Sequence, residues 1–147
     1  MSRWTLMVAV GALACSRGPP PPSPVDPRND SCASCRMMVS DPRTAAQLVI
    51  AGEEPLFFDD LGCLARYMRE HTPRRGAMAY VADHRTGSWV LATEAVYVLQ
   101  PAASTPMGSD LLAYRDLASR DADPVARGGR PLRFGEVFGE ALPQAAR

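Results

Sequence analysis

Four sulfur donors fall within seven residues in the segment Cys32-Ala33-Ser34-Cys35-Arg36-Met37-Met38. Thiolate and thioether sulfur are soft ligands, suited to Cu(I) above other biological metals. No histidine follows the second cysteine, which excludes the c-type haem attachment signature. There is no second Cys-x-x-Cys pair, so a four-cysteine structural zinc site cannot be assembled from this chain alone. A plain disulfide between Cys32 and Cys35 stays open, because an exported chain meets an oxidising compartment. Met37 and Met38, just before Val39, read equally well as core packing.

Two further stretches carry the same kind of chemistry. Phe58-Asp59-Asp60-Leu61-Gly62-Cys63 places two carboxylates and a thiol at the start of a predicted helix. The helix dipole favours thiolate there, and the carboxylates oppose it. As alternatives, Cys63 reads as a buried small hydrophobe and Asp60 as the helix cap. Thr105-Pro106-Met107-Gly108-Ser109 puts a methionine between proline and glycine, where core packing explains it poorly. If the two halves of the chain are related by pseudo-symmetry, Cys63 and Met107 occupy comparable strand-to-helix turns, with residues 32–38 folding over them. His84 reads as a solvated residue of a polar turn. His71 reads as a helix-end residue whose charge complements the dipole. Neither histidine is a ligand candidate.

The elements that must position these groups follow from the hydrophobic pattern. Residues 47–50 and 55–58 are short apolar runs separated by Gly52-Glu53-Glu54, a hairpin signature. Asp60 caps a helix to about His71, whose Leu61, Leu64, Ala65 and Met68 share one face. A strand over 79–82 and a turn at 84–87 complete the first half. Strands over 88–92 and 95–100, a helix capped by Ser109 and running to about Ser119, a strand over 131–134 and a terminal helix over 135–142 make the second. The order strand, strand, helix, strand occurs twice, which predicts an α+β domain with helices on mainly antiparallel sheet.

With 147 residues, the chain has room for one domain. Hydrophobic residues make up 46% and charged residues 22%, which excludes global disorder. Sixteen basic residues, all arginine, balance sixteen acidic ones, so there is no electrostatic footprint for nucleic acid. Residues 1–14 read as an export signal: Arg3 precedes an apolar run too short for a membrane span of ~20 residues. That run ends in Ala12-Leu13-Ala14-Cys15, the kind of site cut by the lipoprotein signal peptidase, which makes Cys15 the lipidated N-terminus. Residues 15–29 then form a tether, six of the fourteen prolines falling in 18–27, a composition that favours a semi-rigid polyproline II spacer. The folded part is expected over 30–147, in the periplasm.

Taken together, these residues resemble the NosL family, lipoproteins encoded beside bacterial nitrous-oxide reductase. The resemblance rests on Cys32, Cys35 and Met37; on Phe58-Asp59-Asp60 with Gly62-Cys63; and on Tyr80-Val81-Ala82-Asp83. Thr86-Gly87-Ser88-Trp89, Ala95-Val96-Tyr97-Val98, Thr105-Pro106-Met107-Gly108 and Gly128-Gly129 follow in the family's order. It implies two ββαβ halves similar to the organomercury lyase fold, and a Cu(I)-binding accessory protein that is not an enzyme. The implied client is nitrous-oxide reductase or a related copper enzyme, served together with a membrane ABC-type maturation complex. The implied copper ligands are Cys35, Met37 and Met107, with Cys32 and Cys63 behind them. Ser16 after the lipid cysteine suits outer-membrane sorting. Arg36 stands where the family has glycine, so a loop of altered conformation is expected. The rival reading is a thiol-dependent carbon–metal lyase or thiol oxidoreductase on a similar fold, using Asp59 or Asp60.

Overall fold

A computed structural model describes residues 18–139; the predicted signal peptide, the predicted lipidation site Cys15 and the far end of the predicted terminal helix lie outside the described residues. Strands β1 (Ala46–Val49) and β2 (Leu56–Phe58) pair antiparallel, with Ala46 opposite Phe58. Helix α1 spans Leu61–Glu70 and buries Leu61, Leu64, Ala65 and Met68, as their spacing predicts. Its N-cap is Asp60. At its other end His71 sets Nδ1 3.1 Å from the Tyr67 carbonyl and stacks on the Tyr67 ring. Strands β3 (Met78–Ala82), β4 (Trp89–Leu91) and β5 (Val96–Leu99) stand close to their predicted bounds.

The predicted helix over 109–119 is not there. Leu111–Tyr114 is instead strand β6, paired with β5, and the helix α2 begins only at Leu117 and ends at Ala122. The reason is that β6 is buried on both faces. Ala113 faces the main core, while Leu112 and Tyr114 face a second cluster with Val98. A short, continuously apolar run of this kind lacks the alternation that would identify a strand. Strand β7 (Arg130–Leu132) lies on the other side of β5, and α3 (Phe134–Phe138) follows. Gly129 permits that pairing, since a Cβ there would lie 2.3 Å from the Val98 side chain.

The result is an α+β fold with two antiparallel sheets, ordered β2-β1-β3-β4 and β6-β5-β7. One core joins them: α1 packs its apolar face on residues of β1 and β3 and also meets Tyr97, Ala113, Val137 and Phe138 from the second half. The units β1-β2-α1-β3 and β5-β6-α2-β7 correspond, and β4 extends the first sheet. In that correspondence Phe58 matches Tyr114 and Asp60 matches Asp116. Cys63 therefore matches Ser119, each donating its N–H to the capping aspartate, at 2.9 and 2.7 Å. Met107 is not the counterpart of Cys63; it lies in the β5–β6 connection. His84 also departs from expectation. Its side chain is 11% exposed, and Nδ1 sits 2.7 Å from the Asp123 carboxylate, which also accepts the Tyr114 hydroxyl. The pair joins the β3–β4 turn to the second half.

The proline-rich segment is packed, not free. The side-chain amide of Gln47, fully buried on the outer face of the first sheet, accepts the Ser23 N–H and donates to the Ser23 carbonyl, both at 2.9 Å. Tyr80 donates its hydroxyl to the Pro20 carbonyl at 2.8 Å, and Val25 packs on Val39, Ala45 and Phe57. Proline has no N–H to lose, and side chains of the sheet supply the partners its carbonyls need. The body thus extends back to Pro20. Removing the chain through Val25 should exchange two hydrogen bonds of the Gln47 amide for water, at about 0.5–1.5 kcal/mol each, uncover Val39 and Phe57, and lower the melting temperature by several degrees.

Candidate metal centre

The first cysteine motif is a tight turn clamped to a sheet edge. Cys32 donates its N–H to the Met37 carbonyl at 2.7 Å, and Arg36 donates to the Cys32 carbonyl at 2.9 Å. Ala33 donates to the Phe57 carbonyl at 2.8 Å, tying the turn to β2. Asp59, buried, accepts from Ser40 through both N–H (2.8 Å) and hydroxyl (3.0 Å), and so holds the chain that follows.

Arg36 adopts φ of 67°, the left-handed conformation that the family's glycine would take without strain. The hydrogen bonds on either side of Arg36, from its own N–H to the Cys32 carbonyl and from the Cys32 N–H to the Met37 carbonyl, hold it in that conformation. The arginine bears the strain, of about 1 kcal/mol. Arg36→Gly should therefore raise the melting temperature, the greater freedom of glycine in the unfolded chain offsetting part of the gain. Arg36→Ala, which keeps a Cβ, should not.

Within this frame three cysteines converge. The sulfurs of Cys32, Cys35 and Cys63 all lie within 4.8 Å of one another, and all three are free thiols. Cys32 and Cys63 have no solvent exposure, while Cys35 is partly exposed, so access to the cluster runs past Cys35. The Cys35 N–H points at the Cys32 sulfur at 3.4 Å. The Cys32 thiol is lowered to about 5, first because the Cys63 thiol donates to it, then against the cost of burial by the N–H groups of Cys35, Asp59 and Ser34. Cys63 is pushed up by donating that hydrogen bond and by burial, and Cys35 is pushed up by burial. The hydrogen bonds thus favour thiolate at Cys32 and, with burial, the protonated thiol at Cys63; burial favours the protonated thiol at Cys35.

The methionines divide. Met107 is half-buried and packs against the same core that holds the cysteines, whereas Met37 is 58% exposed, its N–H facing the Cys35 sulfur. Met38 is exposed as well. Sequence spacing shows Cys32 and Cys35 as a pair, but not that Cys63 completes a triangle with them. Nor does it show that Asp60 reaches beyond its helix: Oδ1 accepts from Cys63 and Oδ2 from the Met107 N–H at 3.2 Å. The aspartate before a helix bearing Gly62 and Cys63 was the available signal.

The three thiols form a group that could hold a soft metal ion, with sulfur from two separated stretches of chain. The NosL family model matches residues 24–142, which takes in both cysteine motifs, the Met107 turn and both sheets. No curated protein matches the chain. Among the described residues no helix is long and apolar enough to cross a membrane.

Proposed function

The chain belongs to the NosL family, and on that premise we propose that it carries Cu(I) as cargo to a copper enzyme and catalyses no reaction itself. NosL proteins are copper-binding accessory proteins, and nitrous-oxide reductase is the client the family implies. A membrane ABC-type maturation complex is the expected partner in the transfer. The observation that carries this reading is the three-thiol cluster, sealed on two sides by burial and open at Cys35.

Soft sulfur favours Cu(I) over harder ions, and a preformed thiolate at Cys32 supplies negative charge before any proton is displaced. The ligand set is Cys32, Cys35 and Cys63, with the thioether of Met107 at the same core. Met37, at the rim, offers a weak sulfur to an ion entering or leaving, so an acceptor's ligand can bind before a donor's departs. Leu111 packs against the core cluster that includes Cys32 and Cys63. A lipid on Cys15 anchors the chain at a periplasmic membrane face, the outer membrane by the Ser16 rule. From Cys15 to Pro20, which Tyr80 holds on the sheet, the chain can span at most about 18 Å, which keeps the body close to the bilayer. Of the two carboxylates the lyase reading would use, Asp60 has an oxygen committed to each of two backbone N–H groups, and Asp59 gives Oδ1 to Ser40.

The test is a titration of the reduced chain with Cu(I) against a chromophoric chelator. The expected result is one tightly held ion per chain, lost when Cys32, Cys35 and Cys63 are all serine. Failure of the reduced wild-type chain to compete would sink the proposal.

A further inference from the structure

We infer that Asp60 is a positioning residue that brings the Met107 sulfur to the thiol cluster, joining a ligand of the second half to those of the first. The inference rests on the Cu(I) reading above and names how its site is assembled. Asp60 is fully buried, and its two oxygens serve different halves of the molecule: Oδ1 accepts the Cys63 N–H at 2.9 Å and Oδ2 the Met107 N–H at 3.2 Å. Capping a helix takes one oxygen. The counterpart Asp116 caps α2 with Oδ1 alone and stands exposed. The second bond of Asp60 is thus additional to its cap, and it ends on the backbone of the residue that carries the thioether.

A second feature fixes the same approach. The turn bearing Met107 is closed by Gly108 donating to the Thr105 carbonyl at 2.9 Å and by Asp110 donating to the Thr105 hydroxyl at 3.0 Å. It presses on the first turn of α1, where a Cβ at Gly62 would lie 2.6 Å from Ser109 Cβ. Only glycine at 62 admits the turn at that distance. The carboxylate pulls the turn in from one side and the missing side chain leaves room for it.

An amide at position 60 serves one N–H but not both, because its NH2 group meets the second donor with a donor. Asn caps helices as well as Asp does, so Asp60→Asn keeps α1 and releases Met107. The experiment uses the full reduced chain with methyl-¹³C methionine. On addition of one equivalent of Cu(I), the Met107 methyl resonance is expected to shift in the wild type and in Asp116→Asn. In Asp60→Asn and in Gly62→Ala, whose Cβ would crowd Ser109 at 2.6 Å and lie 3.3 Å from Asp60 Oδ1, that shift should be lost. Cu(I) affinity should fall on the order of 10-fold in Asp60→Asn, as for loss of an outer-shell partner, with no further fall when Met107→Leu is added. A Met107 methyl that responds to copper in Asp60→Asn as it does in the wild type overturns the inference. So does a wild type that binds Cu(I) with that methyl unmoved. A wild type that does not bind Cu(I) overturns the carrier function instead.

Discussion

Serine at position 32 should cost more Cu(I) affinity than serine at 35, by more than the roughly 100-fold upper range for outer-shell losses. Metal ligation requires thiolate. Of the three, Cys32 is the one pushed toward that form, lowered to about 5 by the Cys63 thiol and by backbone N–H groups against the cost of burial. Cys35 and Cys63 are both pushed up, so each must give up a proton when it binds. Cys32→Ser removes the charge that receives the ion and leaves a hydroxyl that does not ionise in this range. The same substitution should abolish the ultraviolet thiolate absorbance of the apo protein at pH 7, while Cys35→Ser should leave that absorbance in place. Competition titrations on the single variants measure the first effect. Equal losses for Cys32→Ser and Cys35→Ser would show that the preformed thiolate is not what sets affinity.

Why Cys32 is the ionised member could not be read from spacing, and the reason bears on how much of this molecule is legible in its sequence. Local chemistry was legible. The 3.6-residue period of Leu61, Leu64, Ala65 and Met68 and the cap at Asp60 predict α1 to within a residue. Residues 88–92 and 95–100 likewise give β4 and β5. What was not legible depends on partners far along the chain. Strand β6 lacks alternation because one face meets the α1 core and the other meets Val98. The proline-rich segment has a spacer's composition, and only the Gln47 amide and Tyr80 hydroxyl on the sheet make it part of the body. His84 sits in a polar turn, yet Asp123, 39 residues on, takes it out of solvent. The site follows the same division. Cys-x-x-Cys and the Met107 turn are visible as motifs. The convergence of Cys63 on Cys32 is set by the clamping of residues 31–40 to β2 and Asp59, and the approach of Met107 by Asp60 and Gly62.

Removing the Cys63 side chain should raise the Cys32 midpoint from about 5 by several units, toward the ordinary cysteine range of about 8.5. The Cys63 thiol is the largest stabiliser of the Cys32 thiolate, and without it three N–H groups face the cost of burial alone. The sign for metal uptake follows. Above its midpoint Cys32 is already thiolate and takes the ion without releasing a proton. Below that midpoint each pH unit costs a factor of about ten in affinity for the proton it must displace. In the wild type Cys32 imposes no such cost at neutral pH, and the remaining rise of affinity with pH comes from Cys35 and Cys63. In Cys63→Ala the Cys32 cost should extend up through neutral pH. Cys63→Ser, whose hydroxyl can still donate, should hold the midpoint between the two. Ultraviolet titration of each reduced apo variant reads this directly, free of the change in ligand number. A midpoint that stays near 5 in Cys63→Ala would mean that the backbone N–H groups suffice, and that Cys63 is in the cluster as a ligand without tuning its neighbour.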